Sequence, residues 1–290
     1  AVMLCTSSRT RSRLALTLAT AALAALLAVR RDRGSAAPFE RCNIARRAAT
    51  GPLPLHTQHP YIVRLGHRNA ELRARLIRER LLADMGDVNC TPSQAGSQRK
   101  GIETMRLREY IDGWMQREVR RDSSQNKYVF GEFGDAWAPL RDAYVLPPCG
   151  PACDRTRVAV TIGLGGLHSG APWHSHGAAF VEVLHGSKHF AFLPPGDGAI
   201  GDIDAMIKDL SQVHWHWEER PRLEREGRLA ALQECSLQPG EVLFFPPFWH
   251  HGVVNLMPYT AFVSTFLDEE ATRAASAEGG GRHRGALQSS

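Results

Sequence analysis

Pro172-Trp173-His174-Ser175-His176-Gly177 sets two histidines two residues apart at the entry to a predicted strand. Alternate residues of a strand point to one face, so both imidazoles can reach one point. About 75 residues further on, Phe244-Phe245-Pro246-Pro247-Phe248-Trp249-His250-His251-Gly252 opens another predicted strand. One histidine from that second run would complete three ligands on one face of a cation and leave the opposite positions open, a layout suited to non-haem metal oxygenases. An isolated His-x-His is weak evidence. Two strand-entry histidine motifs in a β-rich context are stronger.

The sequence around these motifs has the texture of short strands broken by Gly and Pro. Strands are expected over residues 158–164, 178–185, 188–193, 235–237, 241–245, 253–256 and 260–267. The second and third meet at Gly186-Ser187, and Pro239-Gly240 turns the chain between the fourth and fifth. Many short strands with turn signals between them mean a sandwich or barrel. Residues 197–233 interrupt this core (158–267) as a polar, helical insert. Upstream, residues 38–157 read as a mainly helical section. Leu72, Leu76, Ile77 and Leu81 give an amphipathic helix over 68–85, and a second helix is expected over 103–119. Residues 268–290 are small, polar and Gly-rich, the composition of a disordered tail. About 250 residues after the first 37 suit one domain.

His174-x-His176, Glu182-Val-Leu-His-Gly186-Ser-Lys188, Pro239-Gly240-Glu241, Trp249-His250-His251 and Asn255-Leu256 together resemble the JmjC (cupin-like) family. The resemblance runs from Glu40-Arg41-Cys42 to Ser264-Thr265-Phe266-Leu267. It implies a double-stranded β-helix, a jelly-roll barrel that is mainly β with a helical N-terminal section. Active members are Fe(II)- and 2-oxoglutarate-dependent hydroxylases or demethylases. Carried over by position, His174 and His251 match metal ligands, and His176 stands where most active members have Asp or Glu. Lys188 matches the lysine that pairs with a 2-oxoglutarate carboxylate, unless it points to solvent after its turn. Glu182 and Asn255 are assigned to the shell behind the ligands, with Glu182 orienting a histidine. His250 should point away. Two departures matter. His176 leaves three neutral imidazoles, which suit Fe, Zn, Cu or Ni. Ala171 stands where several active members use a hydroxyl to hold the cosubstrate.

The other histidines have plainer expectations. His185 and His189 flank a turn and are expected to be exposed. In His214-Trp215-His216-Trp217, Trp215 is expected to plug the insert onto the barrel, with a metal role for His214 or His216 as the alternative. Outside the first 37 residues lie five cysteines, Cys42, Cys90, Cys149, Cys153 and Cys235. That number allows two bridges and one free thiol. Cys149 and Cys153 can pair locally, and buried thiols are the plain expectation for Cys42 and Cys235. Asn89-Cys90-Thr91 is a glycosylation sequon.

The net charge of +5 does not belong to the body. Residues 1–37 hold six Arg and one Asp. Removing them from 35 basic and 30 acidic residues leaves 29 of each. No global basic field remains to condense on phosphate, which argues against nucleic acid as partner. Arg9, Arg11 and Arg13 precede 16 Ala, Leu, Val and Thr residues over 14–29. That pattern reads as a signal peptide, with an uncleaved signal anchor (the one membrane attachment expected) or an organellar transit peptide as alternatives. The endoplasmic-reticulum lumen is the expected compartment. Two functions stay open: an oxygenase acting on a protein or peptide of the secretory pathway, or a non-catalytic lumenal module that binds a metal or a partner.

Overall fold

The computed structural model describes residues 39–94, 103–117, 127–132, 134–199, 201 and 212–268. The expected leader over residues 1–37 and all but the first residue of the expected tail lie outside the described residues. Residues 1–41 and 42–290 form separate units. In the first, only Phe39, Glu40 and Arg41 are described, beginning with a turn. Among the described residues no helix is long and apolar enough to cross a membrane.

The second unit carries strands β1 (Ala45–Arg47), β2 (Tyr61–Arg64), β3 (Asn89–Cys90), β4 (Ser93–Gln94), β5 (Met105–Arg106), β6 (Lys127–Tyr128) and β7 (Val158–Gly165). It continues through β8 (Ala179–His185), β9 (Lys188–Leu193), β10 (Gln233–Leu237), β11 (Glu241–Phe245), β12 (His250–Asn255) and β13 (Thr260–Leu267). A six-stranded sheet runs β1-β2-β11-β8-β13-β7, and a three-stranded sheet runs β10-β9-β12. All pairs are antiparallel except β1 with β2. Val181, Val183, Leu243 and Phe262 of the large sheet share one apolar core with Phe190, Phe192, Cys235 and Val253 of the small one. Side chains from two inner faces interdigitating in this way make a sandwich core, as the jelly-roll expectation requires.

Gly186 carries the β8–β9 hairpin at φ +74°, a left-handed conformation that only glycine adopts without strain. Gly170 has a different role. A Cβ there would run into the Val253 carbonyl, so its absence lets residues 169–176 lie against β12.

The 38–157 section departs from expectation in two ways. It gives β2 to the large sheet, between β1 and β11. Tyr61-Ile62-Val63, bracketed by Pro60 and Gly66, is a strand-forming run of β-branched and aromatic residues. The expected 68–85 helix is two helices, Ala70–Arg75 and Arg78–Met85, parted by extended Ile77. The break lets Leu72 and Leu76 pack into the same core as Leu81 and Met85. Of the expected 103–119 helix, Leu107–Glu109 and a π-helical turn at Tyr110–Trp114 form.

Cys42 pairs with Cys235 and Cys149 with Cys153, while Cys90 is a buried free thiol. The expectation of buried thiols at Cys42 and Cys235 is thereby corrected. Their bridge spans 193 residues of sequence, a pairing that no local signal reveals. Cross-links of this kind contribute about 2–4 kcal/mol. Asn89 of the sequon is exposed.

Candidate metal centre

His174 and His251 meet through the backbone. Each donates its N–H to the other's carbonyl, at 2.9 and 2.8 Å. Residues paired in this way present their side chains on one face, and the two rings lie 4.2 Å apart between centroids. Residues 169–174 in effect extend the small sheet, because Val253 and Asn255 donate to the carbonyls of Ala171 and Ser169. His176 arrives differently. The chain bends between β12's neighbour and β8, and the His176 carbonyl accepts from the N–H of Phe248 at 2.8 Å. Phe248 adopts φ +65°, uncommon for a non-glycine residue. His176 packs on Phe245, Phe266 and the edge of His251.

One ligand atom from each of His174, His176 and His251 lies within 4.8 Å of the others. All three Nδ1 atoms sit against backbone carbonyls: His174 on Pro172 at 2.7 Å, His176 on Gly177 at 2.8 Å, and His251 on Trp249 at 2.8 Å. A carbonyl can only accept, so each Nδ1 carries the proton and each Nε2 presents a lone pair. Outer hydrogen bonds of this kind orient metal-ligating imidazoles. Burial favours the neutral rings. It pushes His174 down to about 4, lowers His176, and lowers His251 well below its ordinary value with the neighbouring His174 and His176 adding to it. A neutral, pre-oriented set of three nitrogens fits a divalent transition metal.

The histidines open into a cavity of roughly 200 Å³ whose walls include Phe190, Phe245, Phe262 and Phe266. Ala171 and Lys188 also line it, so Lys188 points inward and not to solvent. Its Nζ donates to Asn255 Oδ1 at 3.2 Å and lies 4.0 Å over the Phe262 ring. Asn255 Nδ2 in turn donates to Ser169 Oγ at 3.0 Å. Asn255 therefore backs Lys188, not a histidine. No Asp or Glu among the described residues lines the cavity. Burial lowers the Lys188 ammonium to about 7.

Further expectations fail, one of them at His185, which is half-buried with Nε2 2.6 Å from the Arg73 carbonyl instead of exposed. Glu182 accepts from Asn69 Nδ2 at 2.8 Å and orients no histidine. The bend before β8 breaks the alternation that linked it to His174 and His176, and it is Ala179 and Val181 that face the cavity. Burial raises its carboxyl pKa, with Asn69 opposing. His189 is fully buried, because the insert covers the outer face of β9. His250 stacks on Trp173 at 5.5 Å, away from the cavity, and Trp173 meets buried Trp215 edge-on. Trp215 thus plugs the insert onto the barrel.

Residues 67–273 match a family model described as a cupin-like domain. The chain belongs to the cupin-like JmjC family. It is 30% identical to JmjC domain-containing protein 8 of Homo sapiens over 242 residues, 81% of this chain and 87% of that protein. Against the Mus musculus protein of the same name the identity is 32%, over 79% of this chain and 83% of that one. Over 118 residues, 37% of this chain and 12% of the relative, it is 33% identical to the lysine-specific demethylase JMJ21 of Arabidopsis thaliana. Family members usually use Fe(II) and 2-oxoglutarate. In this JmjC chain the candidate metal-ligating set is three imidazoles.

Proposed function

We propose that the protein is an Fe(II)- and 2-oxoglutarate-dependent oxygenase that hydroxylates a protein or peptide. The observation that carries this is the shared cavity, with three imidazoles oriented by backbone carbonyls in its wall and a buried lysine that no acid among the described residues faces. A buried ammonium calls for an anionic partner, and a dicarboxylate reaching toward the metal would supply it. His174, His176 and His251 would hold Fe(II). Lys188, steadied by Asn255, would bind the far carboxylate of 2-oxoglutarate. The aromatic rings make the cavity walls largely apolar. The chemistry supplied by the two cofactors when bound is oxidative decarboxylation of 2-oxoglutarate coupled to hydroxylation of a C–H bond by O2. Succinate release by the purified Fe(II)-loaded protein, alone and with candidate peptides, tests it.

A non-catalytic, metal- or partner-binding module is the second reading. It is favoured by Ala171, which lines the cavity without a hydroxyl, and by the lack of a carboxylate there among the described residues. His176→Asp separates the two. An opposite charge within about 4 Å of the cation is worth about 4 kcal/mol at an effective dielectric of 20, partly offset by desolvating the carboxylate. Fe(II) affinity is expected to rise at least about tenfold by competition titration. Succinate release that rises with it marks a decayed oxygenase, and a silent variant favours the module.

The secretory pathway, with its lumen as the site of action, is part of the proposal. The two disulfides support it, since such bridges persist in oxidising compartments. Protein taken from cells with its thiols blocked at lysis is expected to carry both bridges and one alkylatable cysteine outside the leader. Four further reactive thiols would contradict it.

A further inference from the structure

A second cluster lies on the opposite face of the small sheet. Lys188, Phe190 and Cys235 point into the barrel core, so their neighbours His189 and Glu234 point outward. The insert closes over them, with Gln212–His214, a π-helical turn at Trp215–Glu219, and Arg220–Arg225 in succession. The π turn brings His216 down onto His189, ring centroids 4.9 Å apart. π-helical turns within α-helices are rare and frequent at functional sites. His189, His216 and Glu234 are all fully buried, and one ligand atom from each lies within 4.8 Å of the others.

From this geometry we propose a second metal site, built by His189, His216 and Glu234, that takes Zn(II) and fastens the insert to the barrel. It does not depend on the oxygenase reading. Two imidazoles and a carboxylate are a zinc donor set with one position left for water. His189 Nε2 lies 3.4 Å from Glu234 Oε2. Ligands about 2.0–2.1 Å from a tetrahedral ion stand about 3.3 Å apart, so this edge of the site is already set.

The outer contacts fit as well. His189 Nδ1 lies 2.9 Å from Ser236 Oγ. With the metal bound, Nδ1–H donates to that hydroxyl and Nε2 turns its lone pair to the ion. The change moves a proton between the ring nitrogens and releases none. Arg220 Nη2 holds Glu234 Oε1 at 2.5 Å, and Oε2 is the oxygen that faces His189 Nε2. Charge also balances. Once the ion-bound water gives a proton to solvent, the resulting hydroxide, with Glu234 and Glu224 (4.0 Å from Arg220), offsets the ion and the guanidinium.

The test uses the full chain loaded with Zn(II), then with Co(II), with metal counted by mass spectrometry after desalting. Wild type is expected to hold two equivalents. The His174→Ala/His176→Ala/His251→Ala triple variant should keep one, with the intense d–d bands of four-coordinate Co(II). His216→Ala should lose one and keep the other. Ser236→Ala should hold Zn(II) about 10–100-fold more weakly at this site, as loss of an outer partner of a ligand does. No equivalent in the folded triple variant overturns the proposal. Should His216→Ala not fold, the Co(II) spectrum of the triple variant decides. A destabilised His216→Ala protein that keeps both equivalents also overturns it and leaves the cluster a packing feature.

Discussion

Lys188→Met is expected to stabilise the ligand-free protein and to abolish its response to 2-oxoglutarate. Lys188 is 2% exposed, and burial lowers its pKa from 10.5 to about 7. At about 1.4 kcal/mol per pH unit, holding this ammonium in the cavity costs an upper bound of about 4–5 kcal/mol near neutral pH. Met keeps the length, packs its sulfur against Phe262 and needs no counter-charge. Asn255 Oδ1 loses its donor, at about 1 kcal/mol. A net gain of about 1–3 kcal/mol is expected in urea unfolding at pH 7. The pH dependence identifies the cause. The folded pKa lies below the unfolded one, so between about 7 and 10.5 the unfolded chain binds the extra proton. Wild-type stability should therefore rise across that window, and this part of the slope should vanish in the variant. In wild type loaded with redox-inert Mn(II), 2-oxoglutarate at about 100 times its dissociation constant should add about 2.7 kcal/mol. In Lys188→Met it should add almost nothing. An unchanged response would remove Lys188 from cosubstrate binding.

His251→Ala and His250→Ala should separate cleanly although the residues adjoin. His251 shares its backbone pair with His174 and faces the cavity, so its loss takes one of three nitrogens from the ion. Affinity for Fe(II) or Co(II) at that site is expected to fall more than about 100-fold, beyond the range seen when only an outer partner of a ligand is lost. His250 points to the other side of the strand and stacks on Trp173. Its removal should lower stability by about 0.5–1.5 kcal/mol beyond the area it uncovers, with metal content at the cavity unchanged. Equal metal loss in both variants would contradict the assignment of faces. The comparison is read by isothermal titration of metal-stripped protein.

The candidate centre was legible in the sequence because its signals are local. His174 and His176 sit two apart beside a strand, and His251 lies within a strand-entry motif. What period-two alternation could not carry was Glu182. The bend between His176 and β8 resets which residues face inward, and Asn69, far away in sequence, takes the carboxylate. Asn255 likewise stands behind Lys188 and not behind a histidine, since β12 and β9 place the two opposite each other. The site behind β9 was missed for a further reason. His189 follows a turn, where exposure is the sensible expectation, and only coverage by the insert buries it.

By itself the sequence determined the strand-rich core, its turns at Gly186 and Pro239-Gly240, the family and the three histidines. Each of these is written in side-chain periodicity or backbone conformational preference over a few neighbouring residues. The tertiary structure alone decided the rest: β2 joining the large sheet, Cys42 pairing with Cys235, Lys188 turning into a cavity, and His189, His216 and Glu234 meeting under the insert. Those outcomes depend on which face of a strand another segment covers. That is set by contacts between residues far apart in the chain, where no local pattern reaches.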